Sequence, residues 1–168
     1  MPKKIENLSS RLVEEARRQI EDAGYSAMTI RSVATACGVG VGTVYNYFPS
    51  KDALVATFML SDWNECMAAA RSCAETAEDQ SVVLQAIRDG LVRFLELHDR
   101  IFRDEAAAAS FSGAGGTYHA LLRSQLAAPL RRFCRDDFTA EFIAEAMLTW
   151  TVEGKAFDEL LAVLRRLF

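Results

Sequence analysis

Apolar residues recur at helical spacing through most of the chain, and the breaks between the runs mark out its elements. Ser9 or Ser10 can cap a first helix whose apolar face is Leu12, Val13, Ala16, Ile20 and Ala23, and Gly24 ends it. A short second run places Ile30, Val33, Ala34 and Cys37 at i, i+3, i+4 and i+7, with Thr29 as its N-cap and Gly38 just past its end. Tyr25 and Met28 are expected to pack back beneath these helices. A third helix fits residues 41–48, with Val44 and Phe48 turned inward, and Pro49 stops it because the residue before proline avoids the helical region. Ser50 caps a fourth. Its residues Leu54, Val55, Phe58, Met59, Asp62, Trp63, Cys66, Met67, Ala70 and Cys73 hold one helical spacing, which predicts a single rod of about 24 residues and about 36 Å.

Residues 75–81 are polar and read as a loop. Val83, Ile87, Leu91, Phe94, Leu95, His98, Ile101 and Phe102 mark a fifth helix over 82–102. Gly90 lies inside it at a cost of about 1 kcal/mol relative to alanine, a sign of close helix packing. Residues 103–111 suit a short sixth helix, and the glycine-rich 112–116 a flexible break. Thr117 caps a seventh helix with Leu121, Leu122, Leu126 and Leu130, which Pro129 should kink or split. After a second break at 136–139, helix eight covers 140–153, Gly154 turns the chain, and helix nine covers 157–168. No alternating strand pattern appears, so the expected fold is all-α with about nine helices.

Two short helices joined by a glycine turn describe a helix-turn-helix, whose second helix enters a DNA major groove. A buried helical hairpin with no ligand has the same pattern. Composition favours the first reading: Gly40, Gly42, Thr43, Tyr45, Asn46 and Tyr47 give a helix small at its start and rich in hydrogen-bonding groups. A helix kept only for packing would carry more leucine and alanine.

Charge complicates this. The 168 residues are 51% apolar, enough for a sizeable core, but the net charge is −4, whereas nucleic-acid binders are usually basic. The charge is uneven: residues 1–52 carry about +1 and the remainder about −5. Such a head must bind DNA by geometry and duplication more than by bulk charge. Lys3 and Lys4 lie in an expected loose arm over residues 1–8. Cys37, Cys66, Cys73 and Cys134 lack any metal or redox spacing and read as buried, reduced thiols. The two histidines lie far apart, so no metal site is expected. No apolar run is long enough to span a membrane, and the start MPKKIENLSS lacks a signal-peptide core, so the expected compartment is the cytoplasm. Residues 112–116 lack the Gly-Lys-Ser/Thr of a phosphate loop, and no catalytic residue set or cofactor site emerges, so the chain is not read as an enzyme.

Residues 38–54, GVGVGTVYNYFPSKDAL, resemble the DNA-binding signature of the TetR family of bacterial transcriptional regulators, which reads roughly G-V-S-x-G-T-x-Y-x-Y-F-x-S-K-x-x-L. One departure is Gly40, where the family often has serine. The resemblance implies a three-helix DNA-binding head over residues 1–50 and a helical effector-binding and dimerisation domain over 51–168. It implies that Gly40, Gly42, Thr43, Tyr45, Asn46 and Tyr47 face DNA, that Lys51 meets a phosphate, and that Thr29 and Arg31 are further backbone contacts. It implies a homodimer paired through the last two helices, which would present two recognition helices to a pseudo-palindromic operator on double-stranded DNA. It also implies a mostly apolar small-molecule effector in a pocket among Met59, Trp63, Met67, Phe94, His98, Phe102, Tyr118, His119, Leu122 and Trp150, with the histidines as its polar groups. The expected function is a repressor released by that effector. The alternative is an effector-binding or interaction protein without competent DNA binding.

Overall fold

The computed structural model describes residues 7–168, and their side chains outside 108–117. Residues 1–6 of the expected arm, with Lys3 and Lys4, and the cap at Thr117 lie outside the described residues or side chains, whereas Leu8, also expected in that arm, opens the first helix and is buried. The order is α1 (Leu8–Ala23), α2 (Ile30–Cys37), α3 (Val41–Tyr45), α4 (Lys51–Cys66), α5 (Ala68–Thr76), α6 (Gln80–Leu97), α7 (Asp99–Phe102), α8 (Glu105–Ala127), a 3-10 turn (Ala128–Leu130), α9 (Asp137–Val152) and α10 (Phe157–Leu164). The described residues are all-α. They fall into two compact units: one of residues up to Ser61 with His98–Gly113, the other Asp62–Leu97 with Ala114–Phe168.

The first unit is built from amphipathic helices around one core. Helix α1 contributes Leu8, Leu12, Ala16 and Ile20, and α2 contributes Ile30, Val33, Ala34 and Cys37. Val44, Phe48, Leu54, Val55, Phe58 and Ile101 complete that core, with Tyr25 and Met28 buried beneath the helix-turn-helix. Each fully buried large apolar side chain contributes about 1.5–3 kcal/mol, so this face pattern fixes the fold of the unit. The start of α1 departs from expectation. Neither Ser9 nor Ser10 caps it. The helix begins at Leu8 behind Asn7, whose φ is 66°.

The second unit packs α6 against α5, α9, α10 and the 3-10 turn. Val83, Leu84, Ile87, Leu91 and Phe94 of α6 are buried, as are Ile143, Met147 and Leu148 of α9 and Leu160 and Leu164 of α10. The expected fourth rod is divided here. Its backbone leaves regular helix at Met67 (φ −88°, ψ −2°), and α5 starts afresh at Ala68. A Cβ on Gly90 would lie 2.5 Å from the Cys66 carbonyl oxygen and closer still to the Met67 side chain. The missing side chain thus admits α6 at the point where the rod breaks.

Two further expectations are corrected. Residues 112–116 do not interrupt the chain, since α8 runs through them for 23 residues. The fifth helix stops at Leu97, because His98 leaves helical geometry (φ −110°, ψ 19°), and the single turn α7 follows. Asp104 then starts α8 by accepting from the amides of Ala106 and Ala107 at 2.9 and 3.1 Å. Pro129 does end α8, inside the 3-10 turn. Asp136 lies in the expected break and caps α9 through the Thr139 amide at 2.7 Å.

Candidate nucleic-acid interface

The interface starts with the capping of α2. Thr29 is extended, its hydroxyl accepts from the Ser32 amide at 3.0 Å, and the Ser32 hydroxyl accepts from the Thr29 amide at 3.1 Å. This reciprocal box satisfies two amides at a helix start that would otherwise lack partners. The other end is closed by Gly38, whose φ of 69° suits a residue without a Cβ. Arg11 of α1 donates to the Cys37 carbonyl at 3.2 Å, a tie that sequence reasoning missed. Basic side chains near a helix C-terminus commonly play this role.

Helix α3 has only five residues and could not persist alone in water. Its phase is set by two anchors, Val44 (0% exposed) and Phe48 (6%). With those inward, Gly40, Gly42, Tyr45, Asn46 and Tyr47 are exposed and Thr43 is half-exposed. Tyr45 and Tyr47 keep 51% and 42% of their surface in solvent. Two large rings left outside, Tyr45 at the end of α3 and Tyr47 in the turn just after it, form one exposed face.

Thr29 and Arg31 are also exposed. The other described cations near the first two helices are engaged. Arg18 pairs with Glu15 and Asp22, each at 2.7 Å, and the Arg17 guanidinium lies 4.8 Å from the centre of the Phe58 ring. Arg31 is exposed, and among the described residues its guanidinium makes no ion pair or hydrogen bond, whereas the exposed Arg11 is spent on the Cys37 carbonyl.

Lys51 is placed differently from the exposed candidates. It is half-buried, its Nζ donates to the Tyr25 carbonyl at 2.6 Å, and it stands 3.9 Å from the centre of the Tyr25 ring. Burial lowers its pKa, and the charges of Asp104 and Asp52 work against that shift. Cys37 is buried as expected, and burial raises its thiol pKa. Cys66 is also buried, while Cys73 and Cys134 are half-buried.

The ten residues expected around an effector are not all brought together. Trp63, Met67 and Phe94 are buried in the second unit. Trp63 meets Phe94 edge-on at 5.2 Å, and its indole N–H donates to Gln125 of α8 at 2.6 Å. Gln125, a polar group in this cluster, was not anticipated. Its only sequence signal was a polar position one residue before the buried Leu126. Met59, His98 and Phe102 belong to the first unit. There Met59 packs on the core, His98 is buried beside Phe58, and Phe102 is exposed. Tyr118 and Leu122 are half-exposed, and His119 on the surface bonds to Glu145 of α9 at 2.8 Å. Trp150 closes the α9–α10 corner by donating to the Ala156 carbonyl at 2.9 Å. Among the described residues no helix is long and apolar enough to cross a membrane, and no cluster of His, Cys, Asp and Glu could hold a metal.

A capped α2, a left-handed glycine turn and a short α3 that holds its polar and aromatic side outward define a helix-turn-helix head. In this chain, residues 12–57 match the family model described as bacterial regulatory proteins, tetR family. Its sequence is 30% identical over 125 residues to the HTH-type transcriptional repressor KstR of Rhodococcus jostii, a match covering 66% of this chain and 59% of KstR. The chain therefore spans less than two thirds of that relative. Its fold is similar to a TetR-family transcriptional regulator of Pectobacterium atrosepticum, with a TM-score of 0.63 at 19% identity over 100% of this chain and 97% of that one. It is also similar to Thermus thermophilus FadR, a TetR-family transcriptional repressor solved with lauroyl-CoA. That TM-score is 0.62 at 22% identity, over 95% and 92% of the two chains.

Proposed function

We propose that the protein is a DNA-binding transcriptional regulator that represses by occupying a pseudo-palindromic operator as a homodimer and lets go when a small-molecule effector binds. The observation that carries this reading is the division of α3 and the turn that follows it: Val44 and Phe48 are buried, while Gly42, Tyr45, Asn46 and Tyr47 are exposed. In the reading, α3 lies in the major groove. Gly42, Thr43 and Asn46 approach the bases or their backbone, and Gly40 allows the helix start to come close. Tyr45 and Tyr47 contact bases or phosphates, and the uncommitted Arg31, beside Thr29, takes a phosphate.

Duplication follows from the size of the interface. One five-residue helix reads too few base pairs for useful specificity, whereas a two-fold dimer sets two such helices about 34–36 Å apart, one DNA turn. The last two helices carry apolar surface suited to that pairing. Phe138 (78% exposed) and Phe142 stack at 6.4 Å along α9, and Val152 and Val163 are exposed as well.

The effector reading rests on the buried Trp63, Met67 and Phe94, joined by the Gln125 amide. An apolar wall with one polar group suits a largely apolar ligand. FadR's lauroyl-CoA, with its long acyl chain, has that character. Such an effector releases DNA only by binding the DNA-incompetent state more tightly than the competent one.

Tyr47→Ala tests the DNA face. In a gel-shift titration with genomic fragments retained by the wild type, the variant should bind more weakly while its circular dichroism is unchanged. Equal binding would refute the assigned face. Sedimentation at micromolar concentration should give a dimer mass, and a monomer would remove the duplicated arrangement.

A further inference from the structure

The turn between α1 and α2 carries polar contacts that a DNA face does not require. From one side it is held by the start of α4. Lys51 Nζ donates to the Tyr25 carbonyl at 2.6 Å and lies over the Tyr25 ring, and the Tyr25 hydroxyl donates to the Asp52 carboxylate. From the other side it is held by the start of α8. The Ser26 amide donates to Asp104 at 3.0 Å, and the Ser26 hydroxyl donates to the same carboxylate at 2.8 Å. Asp104 also accepts the first free amides of α8. These hydrogen bonds hold the Asp104 carboxyl below its ordinary pKa of 3.8. All these residues belong to one compact unit.

Lys51 commits one of its three ammonium donors inward, to the Tyr25 carbonyl, with the Tyr25 ring against it. It is well placed to hold α3. Only Phe48, Pro49 and Ser50 separate the outward Tyr47, just past α3, from Lys51. Phe48 is buried, and the Ser50 hydroxyl caps the Ala53 amide at 3.0 Å. The corner leading out of α3 is therefore pinned by one apolar anchor and one ammonium.

We propose that Lys51 is a positioning residue for α3, one arm of a polar lock in which the turn at Tyr25 and Ser26 joins the first turns of α4 and α8. The lock rests on the reading of α3 as the DNA-binding helix. It differs from a phosphate contact in three measurable ways. Arginine in place of lysine keeps a phosphate contact but does not fit a half-buried site built around one carbonyl and one ring. Loss of a phosphate contact lowers the salt slope of binding by about one, whereas loss of positioning lowers affinity at constant slope. Removing the Asp104 charge should tighten binding to a polyanion on electrostatic grounds alone, whereas breaking the lock should weaken it.

The test uses the full chain and a labelled duplex that the wild type selects from a random pool, titrated between 50 and 200 mM salt, with folding checked by circular dichroism. Lys51→Arg and Lys51→Met should each bind about tenfold more weakly, the scale of one hydrogen bond to a charged group, with the wild-type salt slope. Asp104→Asn should also bind more weakly. Full binding by Lys51→Arg, a reduced slope for Lys51→Met, or tighter binding by Asp104→Asn would overturn the lock. If the wild type selects no duplex, the regulator reading fails, and a urea double-mutant cycle then decides the lock. Lys51→Met and Asp104→Asn should be non-additive, and additive effects would overturn it.

Discussion

Helix α3 has five residues and α6 has eighteen, and the two are held by different means. In the first unit, the short α2 and α3 and the turns beside them are fixed by individual polar ties in addition to the apolar core: Thr29 with Ser32, Arg11 on Cys37, Lys51 on Tyr25, and Asp104 on Ser26. In the second, long helices close on apolar faces, with Leu84, Ile87 and Leu91 buried and Gly90 admitting a neighbouring backbone. Apolar burial is strong but nondirectional, so it sets how tightly helices pack and leaves the aim of a short one loosely defined. Hydrogen bonds contribute less each, yet they fix direction. A helix as short as α3 must be aimed by such ties, whereas long helices are shaped by their packing.

Substitutions can break or sharpen this contrast. Leu12 is fully buried in the first unit, and Leu12→Ala should cost about 2–5 kcal/mol in urea unfolding. A loss below that range would mean that the polar ties, and not the small core, carry the stability of the head. Gly90→Ala should cost about 1–3 kcal/mol, because the new methyl meets the Cys66 carbonyl at 2.5 Å and that backbone must shift. A gain of about 1 kcal/mol, as for glycine-to-alanine in an open helix, would show that shape does not limit the second unit. Thr29→Ala should have the smallest effect, about 1 kcal/mol, with a larger relative loss in DNA affinity. Unchanged stability and affinity together would mean that α2 does not depend on its cap.

Much of this was legible from the sequence because the phase of a helix is written in its apolar residues. Ile30, Val33, Ala34 and Cys37 announced α2, and Val44 with Phe48 fixed which side of α3 faces out. Gly90 was visible as a close approach, although its neighbours were not. The break at Met67 was hidden because Trp63, Cys66, Met67 and Ala70 keep perfect helical spacing across it. Local composition also misled at 112–116, where glycines that suggested a break lie within α8. The inclusion of residues 98–113 in the first unit depends on contacts such as Ser26 with Asp104, 78 residues apart, which no local pattern reveals. The candidate interface divides the same way. Its exposed face could be read from periodicity, but the inward engagement of Lys51 depends on a carbonyl 26 residues upstream.

The central claim, that the outward side of α3 reads DNA, is tested most directly by selection. The full chain is incubated with a pool of random duplexes, and the retained DNA is sequenced over successive rounds. A pseudo-palindrome should emerge, with half-sites about one helical turn apart. Retained DNA no different from the starting pool would contradict the account.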